Sequence, residues 1–144
     1  MPDAMIIACP HCHSKNRLPA GRRADAGKCG HCKQSLYTGK PIALDESNFD
    51  AHASGDIPLV VDFWASWCGP CQQFAPTFEQ AAGQLGPEVQ LVKVNTETAQ
   101  TLAQRFAIRS IPTLAIIRNG KEITRLSGAL PGQQFIQWVR QHIG

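Results

Sequence analysis

Apolar and polar positions fall into two regimes that change near residue 40. Up to Lys40 apolar residues are sparse (Ile6, Ile7, Leu18, Leu36, Tyr37), too few for a core of their own. From Pro41 onward patterned segments follow one another. Ile42-Ala43-Leu44 predicts a short strand. Asp45 or Ser47 predicts the cap of a helix through Phe49 and Ala53, which Gly55-Asp56-Ile57-Pro58 breaks. Leu59 to Ala65 is apolar except at Asp62, as a central strand covered on both faces should be. Phe74, Phe78, Ala81 and Leu85 recur at helical spacing until Gly86-Pro87, and Pro76 inside that run predicts a kink. Val89 to Val94 alternates like a strand, and Thr98 to Phe106 predicts a helix with Leu102 and Phe106 on one face. Thr113 to Ile117 predicts another buried strand, joined through an Asn119-Gly120 hairpin turn to Glu122–Leu126. Pro131 at a first helical position opens a last helix through Phe135, Trp138, Val139 and Ile143. The order β-α-β-α-β-α-β-β-α predicts an α/β domain, a mixed sheet with helices on both faces.

A length of 144 residues suits one such domain plus a small module. Charge supports the same division. Residues 1–40 carry seven Lys/Arg against two acids, a net +5, and residues 41–144 carry seven against nine, a net −2. The expected domains are therefore 1–40 and 41–144. No run approaches the roughly 18 apolar residues of a spanning helix, so no membrane partner is expected. Met1 to Ala8 has no basic start and too short an apolar run for a secretory signal, which makes the cytoplasm the expected compartment.

The six cysteines form three C-x-x-C pairs: Cys9/Cys12, Cys29/Cys32 and Cys68/Cys71. The first two pairs are separated by sixteen residues, within the C-x₂-C-x₁₅₋₂₀-C-x₂-C zinc pattern. Each knuckle turns two sulfurs toward one point, and two knuckles complete a tetrahedron around one Zn²⁺. Gly30 is expected to supply the backbone freedom of its turn. A closed four-sulfur site has no open position for a catalytic water, so the expected zinc is structural, stabilising a module that lacks a core. The alternative, two structural disulfides, would strain two-residue loops and is unusual in a reducing compartment. His11, His13 and His31 are candidate substitute ligands, but two complete cysteine pairs already fill four positions, and each histidine is expected to sit in or beside a knuckle without binding metal. The basic balance suggests an acidic or nucleic-acid partner, but interleaved aromatics for base stacking are missing, and nucleic acid is not the expected partner.

The third pair lies in Trp67-Cys68-Gly69-Pro70-Cys71, where the apolar strand hands over to a helix. A helix start presents unpaired N–H groups and a positive dipole end, which favour thiolate, the attacking form. Cys68, nearest that start, is the candidate nucleophile and the sulfur expected to be more exposed. Cys71, one turn along, would resolve the mixed disulfide. Gly69 leaves room for a partner's backbone and Pro70 stiffens the helix start. The alternative, that this pair also binds metal, leaves the ion short of two ligands. A thiol–disulfide oxidoreductase is the expected activity.

Val61-Asp62-Phe63-Trp64-Ala65 before this motif, with Ile111-Pro112-Thr113 before a later strand, resembles the thioredoxin family. The resemblance covers about residues 41–144. With the zinc module, the chain is similar to the thioredoxin 2 type, which carries an N-terminal zinc-binding extension. The resemblance implies a thioredoxin fold preceded by a zinc-ribbon-like module, and a protein-disulfide reductase re-reduced by thioredoxin reductase with NADPH. No glycine-rich nucleotide motif occurs here, so NADPH belongs to the reductase and no bound nucleotide is expected. Asp62, an acid in an apolar strand, should have a raised pKa, and the resemblance implies that it accepts a proton near Cys71. The alternative is a hydrogen-bonded, inert acid at a strand end. Lys93 stands where the family has the lysine partner of that acid, against the alternative of a solvated lysine at a sheet edge. The resemblance further implies a cis Ile111–Pro112 bond and a docking surface of Trp67, Ile111, Gly128 and Ala129 around Cys68. Substrates would be disulfide-containing proteins, and a monomer is expected. Glu97, Ala107 and Ser110 depart from the family pattern, the first replacing aspartate and the others glycine.

Overall fold

A computed structural model describes residues 4–19 and 27–143. Arg22, Arg23 and Asp25 of the basic segment lie outside the described residues. β1 (Met5–Ala8) and β2 (Lys15–Leu18) pair antiparallel in a small hairpin sheet. The remaining elements are β3 (Ile42–Ala43), α1 (Phe49–Ala53), β4 (Leu59–Trp64), α2 (Gly69–Leu85), β5 (Gln90–Asn95), α3 (Gln100–Arg105), β6 (Thr113–Arg118), β7 (Lys121–Ser127) and α4 (Gly132–Ile143). The five-stranded sheet runs β3-β5-β4-β6-β7, with β5 parallel to β3 and β4, and β6 antiparallel to β4 and β7. It is the mixed sheet that the periodicity predicts.

The pleat sorts side chains between two cores. Leu59, Val61 and Phe63 of β4 join Val92, Val94, Phe49 and Phe106 on the face covered by α1 and α3. Val60 joins Leu91, Phe74, Phe78 and Phe135 on the face covered by α2 and α4. By alternation Asp62 and Lys93 share the α2 face. They are also paired in register across β4 and β5.

Several local expectations change. Asn48, not Asp45 or Ser47, occupies the position before α1. Asp45 instead closes its own turn, its Oδ1 accepting the Ser47 backbone N–H at 2.8 Å. α3 begins only at Gln100, because Thr98 is spent in a turn whose hydroxyl donates to the Asn95 carbonyl. Pro131 precedes α4 rather than opening it, and its carbonyl accepts the Phe135 N–H at 2.8 Å. The left-handed positions of the knuckles are His13 (φ 66°) and Lys33 (φ 70°), each following a second cysteine, and Gly30 is not one of them. At the hairpin, Asn119 (φ 53°) and Gly120 (φ 76°) both take the conformation that a type I′ turn requires.

The hairpin module is stitched to the segment before β4. The Asp56 N–H donates to the Ile6 carbonyl at 2.8 Å, and the Ile6 N–H donates to Asp56 Oδ2 at 2.6 Å. Ile57 joins Ile7, Cys9, Leu18, Cys29 and Leu36 in the module's core, so that core is completed from outside residues 1–40. His13 Nδ1 and His52 Nε2 are 2.9 Å apart. Burial, with His13 beside it, lowers the His52 pKa to about 4. A Cβ on Gly55 would lie 3.1 Å from the Ile6 carbonyl oxygen, so the backbones approach closely here.

Candidate functional site

Cys68 is the residue before α2, in extended conformation (φ −87°, ψ 108°). Gly69 and Pro70 form the first turn, where proline's missing N–H would have no helical partner anyway. Cys68 and Cys71 are joined in a disulfide with their Cα atoms 5.3 Å apart. Cys68 Sγ accepts the Cys71 N–H at 3.2 Å. Exposure does not separate the two cysteines, contrary to expectation: Cys68 is 4 % and Cys71 3 % exposed. What is open is the surface beside them. Trp67 is 72 % exposed, and a Cβ on Gly69 would meet nothing within 4 Å.

Asp62 is buried in the middle of β4, and neither carboxylate oxygen has a hydrogen-bond partner among the described residues. Burial raises its pKa to about 7, opposed by the Lys93 charge. The picture of a hydrogen-bonded acid at a strand end does not hold. Lys93 is likewise not at a sheet edge, since β5 lies between β3 and β4. Its Nζ sits 4.7 Å from the centroid of Trp64, and Trp64 packs against the small cluster of Ala65, Cys68 and Cys71.

The Ile111–Pro112 bond is cis. Ile111 packs against the same cluster, and the Pro112 carbonyl accepts the Gly128 N–H at 2.8 Å. That bond brings Gly128 and the exposed Ala129 beside the cis segment. Ile111 thus lies against the disulfide cluster, and Gly128 is tied to the neighbouring Pro112.

One part of the rim is not foreseen from the sequence. Glu97 Oε1 accepts the Ser66 N–H at 2.8 Å and the Ser66 hydroxyl at 2.7 Å. Gln72 Nε2 donates to the Ser66 carbonyl. The Ser66 hydroxyl and N–H hold the Glu97 carboxyl below its usual pKa. This network fixes the segment carrying Trp67. It joins residues 31 positions apart, which no periodicity reveals.

The other four cysteines gather with all sulfurs within 4.8 Å of one another. The Cys9–Cys32 and Cys12–Cys29 sulfur pairs are both 3.6 Å apart. A tetrahedron with zinc–sulfur bonds of about 2.3 Å has edges of about 3.8 Å, so the cradle fits. N–H groups of His11 and Cys12 point at Cys9 Sγ, and those of His31 and Cys32 point at Cys29 Sγ. Donors from Cys32 and Asn16 bring the Cys29 thiol down to about 5, whereas burial pushes the Cys9 thiol up to about 12. A dication at the centre would supply the charge that a buried Cys9 thiolate requires. His11, His13 and His31 stay outside the cluster.

Comparison with known proteins agrees with both halves of this geometry. The thioredoxin family pattern matches residues 40–141, and the pattern described as thioredoxin 2, N-terminal, a zinc ribbon, matches residues 8–34. The chain is 43 % identical over 140 residues to thioredoxin C-3 of Corynebacterium nephridii, covering 96 % of each chain. It is 39 % identical over 103 residues to thioredoxin of Haemophilus influenzae, covering 71 % of this chain and 96 % of that one. Among solved structures, the thioredoxin of Malassezia sympodialis superposes with a TM-score of 0.66 at 32 % identity, covering 71 % of this chain and 90 % of that one. A disulfide at a helix start, a buried acid in the strand before it and a cis-proline whose preceding residue packs on the disulfide cluster accompany a match across nearly the whole sequence. The chain thus belongs to the thioredoxin family of thiol–disulfide oxidoreductases and has the thioredoxin fold preceded by a four-cysteine zinc ribbon.

Proposed function

We propose that this protein reduces disulfides in other proteins through Cys68 and Cys71, and that electrons come from NADPH through a thioredoxin reductase. The observation that carries this reading is the Cys68–Cys71 disulfide at the α2 start beside exposed Trp67. In the reduced form the Cys68 thiolate attacks a substrate disulfide, forming a mixed disulfide and expelling one substrate thiolate. Cys71, as thiolate, then attacks the Cys68 sulfur, closing the Cys68–Cys71 disulfide and expelling the second substrate thiolate. Two electrons pass to the substrate, whose thiolates take up protons. Asp62, on the α2 face and tuned to about 7, accepts the Cys71 proton. Lys93 modulates that acid through its opposing charge. Trp67, Gly69, Pro70, Ile111, Pro112, Gly128 and Ala129 form the surface on which the substrate segment lies.

Cys9, Cys12, Cys29 and Cys32 hold one zinc ion. Bound there, it supplies structural cross-linking, with no open coordination position for chemistry. On this reading residues 1–40 are the ribbon and 41–144 the redox domain of a cytoplasmic monomer. The test is turnover of a protein disulfide with thioredoxin reductase and NADPH. Cys68→Ser abolishes turnover, and Cys71→Ser accumulates a mixed disulfide visible by mass. Full turnover by Cys68→Ser would overturn the assignment. Metal and thiol counting should find one zinc, four protected thiols and one cycling pair.

A further inference from the structure

Beside the disulfide lies an open cleft of about 430 Å³, lined by Trp67, Thr96, Ile108, Arg109, Ser110 and Ile111. Its walls are mostly apolar, and one charged side chain borders it. Residues 41–144 contain five arginines. Four are committed to the fold. Arg105 pairs with Asp50 at 2.8 Å, and Arg125 pairs with Glu122 at 2.6 Å. Arg118 donates to the Ile143 carbonyl at 2.8 Å, and Arg140 to the Gln84 carbonyl at 3.4 Å. Arg109 is exposed and has no hydrogen bond or ion pair among the described residues. Glu97, the nearby acid in sequence to Thr96 of this cleft, is engaged by Ser66.

We infer that Arg109 makes this protein select disulfides whose flanking segment carries a carboxylate one or two residues from the attacked cysteine. This rests on the reductase reading above and names its substrate class. Ile111 packs on the Cys68–Cys71 cluster. Arg109 and Ile111 line the same cleft, and two residues of chain span at most about 7 Å, so Arg109 borders the path of the next side chains of a segment held against Ile111. An unpaired guanidinium gains charge-assisted hydrogen bonds from a carboxylate and repels a lysine.

The test uses the pre-reduced full-length protein and three peptide disulfides identical except for Glu, Gln or Lys next to the cysteine. The readout is the second-order rate constant of thiol release, without a reductase. An adjacent carboxylate by itself raises the pKa of the leaving thiol and slows exchange, so variants set the baseline. The parent's Glu-to-Lys rate ratio should exceed that of Arg109→Gln about tenfold. Arg109→Glu should invert the preference, and high salt should compress it. A ratio taken on one preparation does not depend on the fraction folded. Equal ratios in parent and both variants would overturn the inference and leave the reductase reading standing. No reaction with any of the three peptides would remove both.

Discussion

Burial sets the behaviour of Asp62. Its folded-state pKa of about 7 stands above the ordinary 3.8. Between those values the folded protein keeps a proton that the unfolded chain has lost. Stability therefore falls as pH rises across that window and is level above it, at a cost on the order of 4 kcal/mol. Lys93, facing Asp62 from β5, is the charge that limits the effect. Asp62→Asn should gain stability over the parent at pH 8 but not at pH 4, as read by urea unfolding. It should also lose a rate inflection near pH 7 in the release of mixed disulfide. A second residue stores strain in the backbone. Ala107, just past the end of α3, has φ 51°, where a Cβ is crowded. Ala107→Gly should stabilise by about 1 kcal/mol and raise the thermal midpoint by about 4 °C. Asp62 was legible because one acid interrupts an otherwise apolar run. Arg109 was not, since its importance lies in lacking a partner, and only the folded arrangement shows which arginines are engaged.

The elements follow their apolar periods closely, because α2 and α4 each present one stripe to the sheet. Phe135 of α4 meets Phe74 at 5.3 Å and Phe78 at 5.8 Å between ring centroids, and it is 0 % exposed. Phe135→Ala should cost about 3–5 kcal/mol, measured by thermal or urea unfolding. Element ends were less legible than their interiors. Asp45, Ser47 and Asn48 are all suitable caps, and the choice among them is made by a turn in which Asp45 and Asn48 bond each other's neighbourhood. Thr98 is diverted in the same way by the Asn95 carbonyl. Short polar side chains near a helix start have several backbone partners within reach, and sequence alone does not rank them.

For the whole molecule, the order of elements and the division of six cysteines into a cluster of four and a bonded pair were readable from spacing, but their relative placement was not. The seam depends on Ile6, Asp56, Ile57 and the His13–His52 contact, none of which belongs to a motif. It lies before the first residue of β4, whereas Cys68 follows the last. Chelation of the metal should therefore loosen the ribbon and lower the thermal midpoint, while turnover stays within about twofold of the loaded protein. Circular dichroism and the disulfide-reduction assay, run side by side with a chelator, check both halves. The same layout bears on sulfur traffic. The length of β4, about 17 Å, lies between the ribbon's attachment and the redox pair. Disulfide partners need Cα atoms within about 7 Å. Oxidising equivalents held at Cys68 cannot leak into a ribbon thiol of the same molecule. Any such crosstalk is a collision between two molecules, and its rate should rise with the square of protein concentration.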